Sequence, residues 1–231
     1  MQLIISCEHA DHAVPAPWNY LFPSESQSVR QSHRGWDPGA RELSRALARN
    51  LSIPVLEGKV TRLLIDLNRS PDNPGRWSEF TKDLTSEVKD RIHRTVFQPY
   101  WDDLKLRIEN GIQAEECVLH LSVHSFIREL NGEKRTVDLG LLFDPARTGE
   151  TKTVSAMEKS LRKGPAARFR IRHNEPYAGI DDGLTTMLRR LYPDNKYQGI
   201  EIEVCSDLLE NARDREDLQN AVIDAVRSVM E

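Results

Sequence analysis

The sequence has few cysteines, no long apolar run and no excess of positive charge, and each shortage removes a class of protein. Its three cysteines (Cys7, Cys117, Cys205) are scattered among 231 residues, and no Cys-x-x-Cys pair occurs. That excludes a disulfide framework, a zinc ribbon and a thioredoxin-like motif. Apolar, strand-like neighbours make them read as reduced, buried thiols. No segment approaches the roughly 20 apolar residues that span a bilayer. The net charge is −4 and the isoelectric point is near 6.0, so the basic footprint of a nucleic-acid binder is missing. A local cationic pocket remains compatible with that balance. With no Gly/Ser/Pro-rich linker, repeat or low-complexity tract, residues 1–231 are read as a single domain large enough to bury a substantial core. The N-terminus starts directly on a strand-like run, without the basic stretch and apolar region of a secretory signal. The expectation is a cytoplasmic protein with no nucleic-acid or membrane partner.

Hydrophobic residues at 39% with 29% charged residues suit a folded soluble chain. Strand-like segments are expected at residues 1–8, 53–56, 61–67, 118–123, 139–143, 169–172 and 199–204. Helices are expected from Asp37, which would cap with Pro38 in the first turn, over 86–110 with a kink or break at Pro99, and over 152–161, 182–191 and 215–230. Residues 11–31, rich in Pro, Ser and aromatics, read as an irregular wall. Strands alternating with helices point to an α/β sandwich around a mainly parallel sheet.

Chemistry-bearing residues collect at the ends of the expected strands. His9 follows Leu3-Ile4-Ile5-Ser6-Cys7-Glu8, and His124 follows Cys117-Val118-Leu119-His120-Leu121-Ser122-Val123. In parallel α/β sheets, ligands bind in the crevice outside the carboxyl edge, and two imidazoles with a carboxylate form a common zinc hydrolase site. Asp37 and His12 are both candidates for the third ligand, Asp37 having an N-cap as its competing role. His33 is a spare ligand or a loop residue. Asn68 and Arg69, in Asp66-Leu67-Asn68-Arg69, offer a fork for a substrate carboxylate, against the alternative of a buried Asp66–Arg69 pair. Glu201 and Glu203 share one face of a strand whose other face is Ile200, Ile202 and Val204. They suit general-base work or a solvated edge. Tyr177, in a loop shaped by Pro176 and Gly179, could cap a substrate or simply pack.

In this order the segments resemble the N-formylglutamate amidohydrolase family. The matching pieces are Ile5-Ser6-Cys7-Glu8-His9-Ala10, Trp36-Asp37-Pro38-Gly39-Ala40, Asp66-Leu67-Asn68-Arg69-Ser70-Pro71 and Val123-His124-Ser125-Phe126. They continue with Gly140-Leu141-Leu142-Phe143-Asp144, Asn174-Glu175-Pro176-Tyr177 and Ile202-Glu203-Val204-Cys205-Ser206-Asp207-Leu208. The resemblance implies a phosphorylase/hydrolase-like three-layer α/β/α sandwich with a mainly parallel or mixed sheet, related to zinc carboxypeptidases and aspartoacylase-type deacylases. It further implies a Zn2+ cofactor held by His9, His124 and a carboxylate. Asn68 and Arg69 would bind a small-molecule carboxylate substrate, Arg69 would also steady the developing oxyanion, Glu203 would be the general base, and Tyr177 would close over the substrate. The relatives carry their carboxylate ligand three residues after the first histidine, where this chain has His12. Asp37 is therefore the favoured third ligand and His12 the alternative.

Overall fold

The computed structural model describes residues 1–114 and 117–230. Strands β1 (Gln2–Cys7), β2 (Val55–Glu57), β3 (Val118–Phe126), β6 (Leu139–Leu142), β7 (Ile171–His173) and β8 (Tyr197–Cys205) form one sheet, while β4 (Glu129–Leu130) and β5 (Glu133–Lys134) make a separate hairpin. The sheet order is β2-β1-β3-β8-β6-β7. Every neighbouring pair is parallel except β6–β8. The helices are α1 (Gln27–Arg30), α2 (Ala40–Leu51), α3 (Ser86–Ile92), α4 (Gln98–Gln113), α5 (Thr148–Leu161), α6 (Leu184–Leu191), α7 (Ser206–Glu210) and α8 (Ala212–Met230). No helix among the described residues is long and apolar enough to cross a membrane.

Strand alternation sorts the residues into two layers of packing. Leu119, Leu121 and Val123 of β3 join Ile200, Ile202 and Val204 of β8 in a core completed by Leu43 and Leu47 of α2, Val154 and Met157 of α5, and Val222 and Val226 of α8. The opposite face packs against α3, α4 and α6 through residues such as Ile92, Leu104, Ile108 and Leu188. On that second face the central strands also carry polar residues: Ser6 on β1, His120, Ser122 and His124 on β3, and Glu201 and Glu203 on β8. All are buried. Parallel register puts Ser6 beside Ser122, Ser122 beside Glu201 and His124 beside Glu203. The period of two in an extended chain thus builds a polar column under the helix layer.

Three expectations are corrected. Residues 61–67 form turns and an irregular crossing segment, not a strand. Leu63, Leu64, Ile65 and Leu67 are all buried in the second core, so the apolar run marks passage beneath α3 and α4, while its backbone bonds go to turn and loop partners: Leu64 N–H to Thr61 and Asp66 N–H to Arg76. Asp37 does not cap α2. The helix begins at Ala40, after Gly39 turns the chain with φ of 84°, a conformation that favours glycine. Pro99 does not break the helix over 86–113. A wider π turn at His93–Phe97 joins α3 to α4 and accommodates the proline ring where a regular turn would bring it against a carbonyl.

The site-bearing loops are tied to the sheet by a buried ion pair. Glu150 of α5 is fully buried and accepts from Arg189 Nε of α6 (2.9 Å) and from the Gly199 N–H (3.0 Å). Arg189 in turn donates to the carbonyls of Gly179 and Gly199. Removing one partner of such a pair strands the other charge. Glu150→Ala is expected to lower the unfolding free energy by about 3–5 kcal/mol, measured by urea denaturation.

Candidate active site

At the carboxyl end of β1, His9 leaves the sheet just beyond Cys7, and at the end of β3 His124 stands next to it, the ring centroids 5.1 Å apart. The loop before α2 delivers Asp37 between them. Asp37 Oδ2 lies 2.8 Å from His124 Nδ1 and 3.3 Å from His9 Nδ1. One donor atom from each of these three buried residues lies within 4.8 Å of the others, a cluster that could hold a metal ion. His12, the alternative third ligand, is outside this cluster and packs edge-on against Trp36 at 5.3 Å.

Each histidine is oriented from behind by a second carboxylate. His9 Nε2 donates to Asp66 Oδ1 at 2.7 Å. His124 Nε2 lies 3.0 Å from Glu8 Oε2. Glu8 is itself held by the Tyr100 hydroxyl on Oε1 (2.9 Å) and the Ser122 hydroxyl on Oε2 (2.5 Å). A carboxylate behind the outer nitrogen orients each ring so that Nδ1 faces inward, the usual support of a metal-binding imidazole. Arg62 spans the two aspartates, 3.3 Å from Asp37 Oδ1 and 3.0 Å from Asp66 Oδ2.

The electrostatics follow from this packing. Burial would raise the Asp37 carboxyl, but His9, His124 and Arg62 outweigh it and hold the group well below the ordinary range. Burial opposes ionisation of Glu8 and Asp66 as well. The bonds and charge of His124 keep Glu8 low, and Arg62 with His9 keeps Asp66 low. Glu203 behaves oppositely. Burial dominates, Asp37 and Glu201 add like charge, and its carboxyl is pushed up to about 8.

These residues open into a cavity of about 170 Å³, lined also by Asn68, Arg69, Tyr177, Asp181, Asp182 and Glu201. Glu203 is 6% exposed, and its Oε2 has no hydrogen-bond partner among the described residues. Glu201 Oε1 accepts from the Thr185 hydroxyl. Asn68 accepts from the Leu184 N–H through Oδ1 (2.7 Å) and turns Nδ2 toward His124 Nε2 (3.4 Å). Arg69 Nη1 donates to the Asp182 carbonyl at 2.7 Å. The alternative Asp66–Arg69 pair is not formed, because Asp66 is taken by His9 and Arg62. Tyr177 is 40% exposed at the rim, with Arg135 stacked on its ring at 4.9 Å. Its loop passes so close to β6 that a Cβ on Gly140 would lie 2.0 Å from the Glu175 carbonyl. His33 is half-buried outside the cavity. A larger cavity of about 460 Å³, lined by apolar residues including Trp18, Val96 and Pro99, contains none of the clustered residues.

Sequence reasoning overlooked Glu8, Ser122 and Arg62. Glu8 and Ser122 had a usable signal, since each continues a polar alternation on an otherwise apolar strand, the same pattern that singles out Glu201 and Glu203. Arg62 lies in a turn with no period to expose it.

A mostly parallel sheet flanked by helices, with imidazoles and carboxylates converging at its carboxyl edge, makes this an α/β protein with its candidate site where open sheets of this kind bind ligands. The N-formylglutamate amidohydrolase family model matches residues 1–210, and the chain belongs to that family, whose name marks its members as hydrolases of amide bonds. Two solved structures share the fold. The gene product Atu2144 from Agrobacterium tumefaciens is 25% identical with a TM-score of 0.82, the match covering 100% of this chain and 92% of that one. The N-formylglutamate amidohydrolase from Ralstonia eutropha JMP134 is 19% identical with a TM-score of 0.76, covering 100% and 93% respectively. None of the curated protein sequences matches significantly.

The Glu203 environment carries a consequence for stability. A carboxyl raised from 4.5 to about 8 lets the metal-free folded state bind the extra proton, so this group's contribution is present at low pH and is lost as pH rises through 8. Metal-free Glu203→Gln protein is expected to melt at a higher temperature than the parent at pH 9, with a smaller difference at pH 6, read by calorimetry.

Proposed function

We propose that the protein is a zinc-dependent amidohydrolase that cleaves the amide of a small N-acyl amino acid, the class to which N-formylglutamate belongs. The observation that carries this reading is the pairing of an inward-facing His9–Asp37–His124 cluster with a buried, unpartnered Glu203 on the same cavity wall. Two imidazole nitrogens and one carboxylate oxygen suit a catalytic zinc ion, which keeps a coordination position open. When bound, the ion supplies Lewis acidity, polarising the scissile carbonyl and lowering the pKa of water.

The remaining work falls to the chain's own side chains. Glu203 takes a proton from the attacking water as the new C–O bond forms, then returns it to the amide nitrogen as the C–N bond breaks. Arg69, whose Nη1 is steadied by the Asp182 carbonyl, holds the substrate carboxylate and places positive charge near the developing oxyanion. Asn68 adds a side-chain amide beside it. Tyr177 covers the substrate from the rim. Asp66 and Glu8 hold the two imidazoles in orientation.

With zinc supplied and N-acyl amino acids as substrates, Glu203→Gln is expected to lower kcat by about 10²–10⁴. Arg69→Ala should act mainly by raising KM. Near-parental turnover in Glu203→Gln would overturn the mechanism. Elemental analysis should show one zinc per chain, lost in His124→Ala, and Glu8→Gln is expected to weaken metal affinity by about 10–100-fold.

A further inference from the structure

The larger cavity, of about 460 Å³, plays no part in the chemistry proposed above, yet it has the size of a small-molecule site, roughly 300–1,000 Å³. One side of it is the irregular wall before α1, which supplies Pro15, Pro17 and Trp18. The other is the π turn joining α3 to α4, which supplies Thr95 and Val96 and is followed by Pro99. Such turns recur at functional sites. Three charged residues also line the cleft: Glu57, Lys59 and Arg91. Glu57 is spent on Arg45, whose Nε and Nη2 take both carboxylate oxygens. The Arg91 guanidinium lies 5.3 Å over the Trp18 ring, and Lys59 is exposed. With Glu57 neutralised by Arg45, the charge left to a ligand is positive, and it stands beside an aromatic ring in an otherwise apolar cleft. That pattern matches an amphipathic anion, whose apolar body takes the cleft's surface out of water and whose acidic head meets the two cations. A cationic ligand would be repelled.

We infer that this cleft is a second ligand site, for a small monocarboxylate with an apolar ring system or chain, its carboxylate meeting Lys59 and Arg91 and its body packing against Trp18 and Val96. The cleft shares no lining residue with the cavity of the His9–Asp37–His124 cluster, so the inference stands apart from the amidohydrolase reading. The two sites adjoin at Leu67 and Asn68, one lining each. They adjoin again at Tyr100, which lines the cleft and donates to Glu8 behind His124.

The probes are 2-naphthoate, 2-naphthylmethanol and 2-naphthylmethylamine, one apolar body with an anionic, a neutral and a cationic head, titrated by calorimetry into the zinc-loaded, full-length protein. The expected order is acid above alcohol above amine, with one naphthoate bound per chain. The acid should bind about fivefold or more tightly than the alcohol, as two partly exposed charge contacts would give. Lys59→Gln with Arg91→Gln, a double change at exposed positions, should erase the gap between acid and alcohol. Val96→Trp should fill the cleft and abolish binding of all three, while Arg69→Ala, in the other cavity, leaves naphthoate binding unchanged. Equal affinity for acid and alcohol, no saturable binding of naphthoate, or binding that survives Val96→Trp would overturn the inference. So would an acid–alcohol gap unchanged in the double variant, a readout that decides the matter even if Val96→Trp fails to fold. Self-association that shuts naphthoate out as protein concentration rises would give the cleft to a second copy of the chain and overturn it too.

Discussion

The site depends on the carboxylate of Asp37. It is buried, it faces the inner nitrogens of both histidines, and its second oxygen meets Arg62. A carboxylate in so dry a place stays ionised only because positive or hydrogen-donating groups surround it. Arg62 is held in place by Asp66, Asp66 also receives His9, and His124 is backed by Glu8. The chain of partners ends at Tyr100 on α4 and Ser122 on β3. The sheet, the helix layer on its second face and the loop before α2 therefore meet in one polar network, and the geometry of the cluster is inherited from the sheet.

That network explains why the central strands tolerate polar residues. Ser6 and Tyr197 satisfy His120 on its two ring nitrogens at 2.7 and 2.8 Å, and burial pushes that imidazole down to about 4. Ser6, His120, Ser122, His124 and Glu201 on the central strands all have hydrogen-bond partners, as buried polar groups require. Glu203 Oε2 is the departure from the rule. A buried carboxyl oxygen without a partner is costly to folding, and it persists at the point where the cavity meets the His9–Asp37–His124 cluster.

Much of the fold was legible in the sequence. The alternating and continuous apolar runs marked β1, β3, β6 and β8, and helical spacing marked α2, α5, α6 and α8. The segment at 61–67 misled because three consecutive apolar residues can be buried by a turn as well as by a strand, and periodicity does not separate these over so short a run. Asp37 misled locally in a related way. Asp-Pro-Gly reads as a helix start, yet the carboxylate is drawn to two distant histidines and Gly39 starts the helix in its place.

Local pattern by itself determined which residues face together along a strand, so that Glu201 and Glu203, or Ser122 and His124, share a side through the two-residue period. It also determined that His9 and His124 stand at strand ends. Only the tertiary structure decided that β1 and β3 are neighbours, that Asp37 rather than His12 lies between the two rings, and that Arg62 is consumed by Asp37 and Asp66 while Arg69 faces the cavity. The contacts of Asp37 with the two rings, and of Ser6 on β1 with His120 on β3, join residues 28 to 114 positions apart. No local rule of spacing reaches that far, because strand order and loop path are set by how the whole apolar surface is buried.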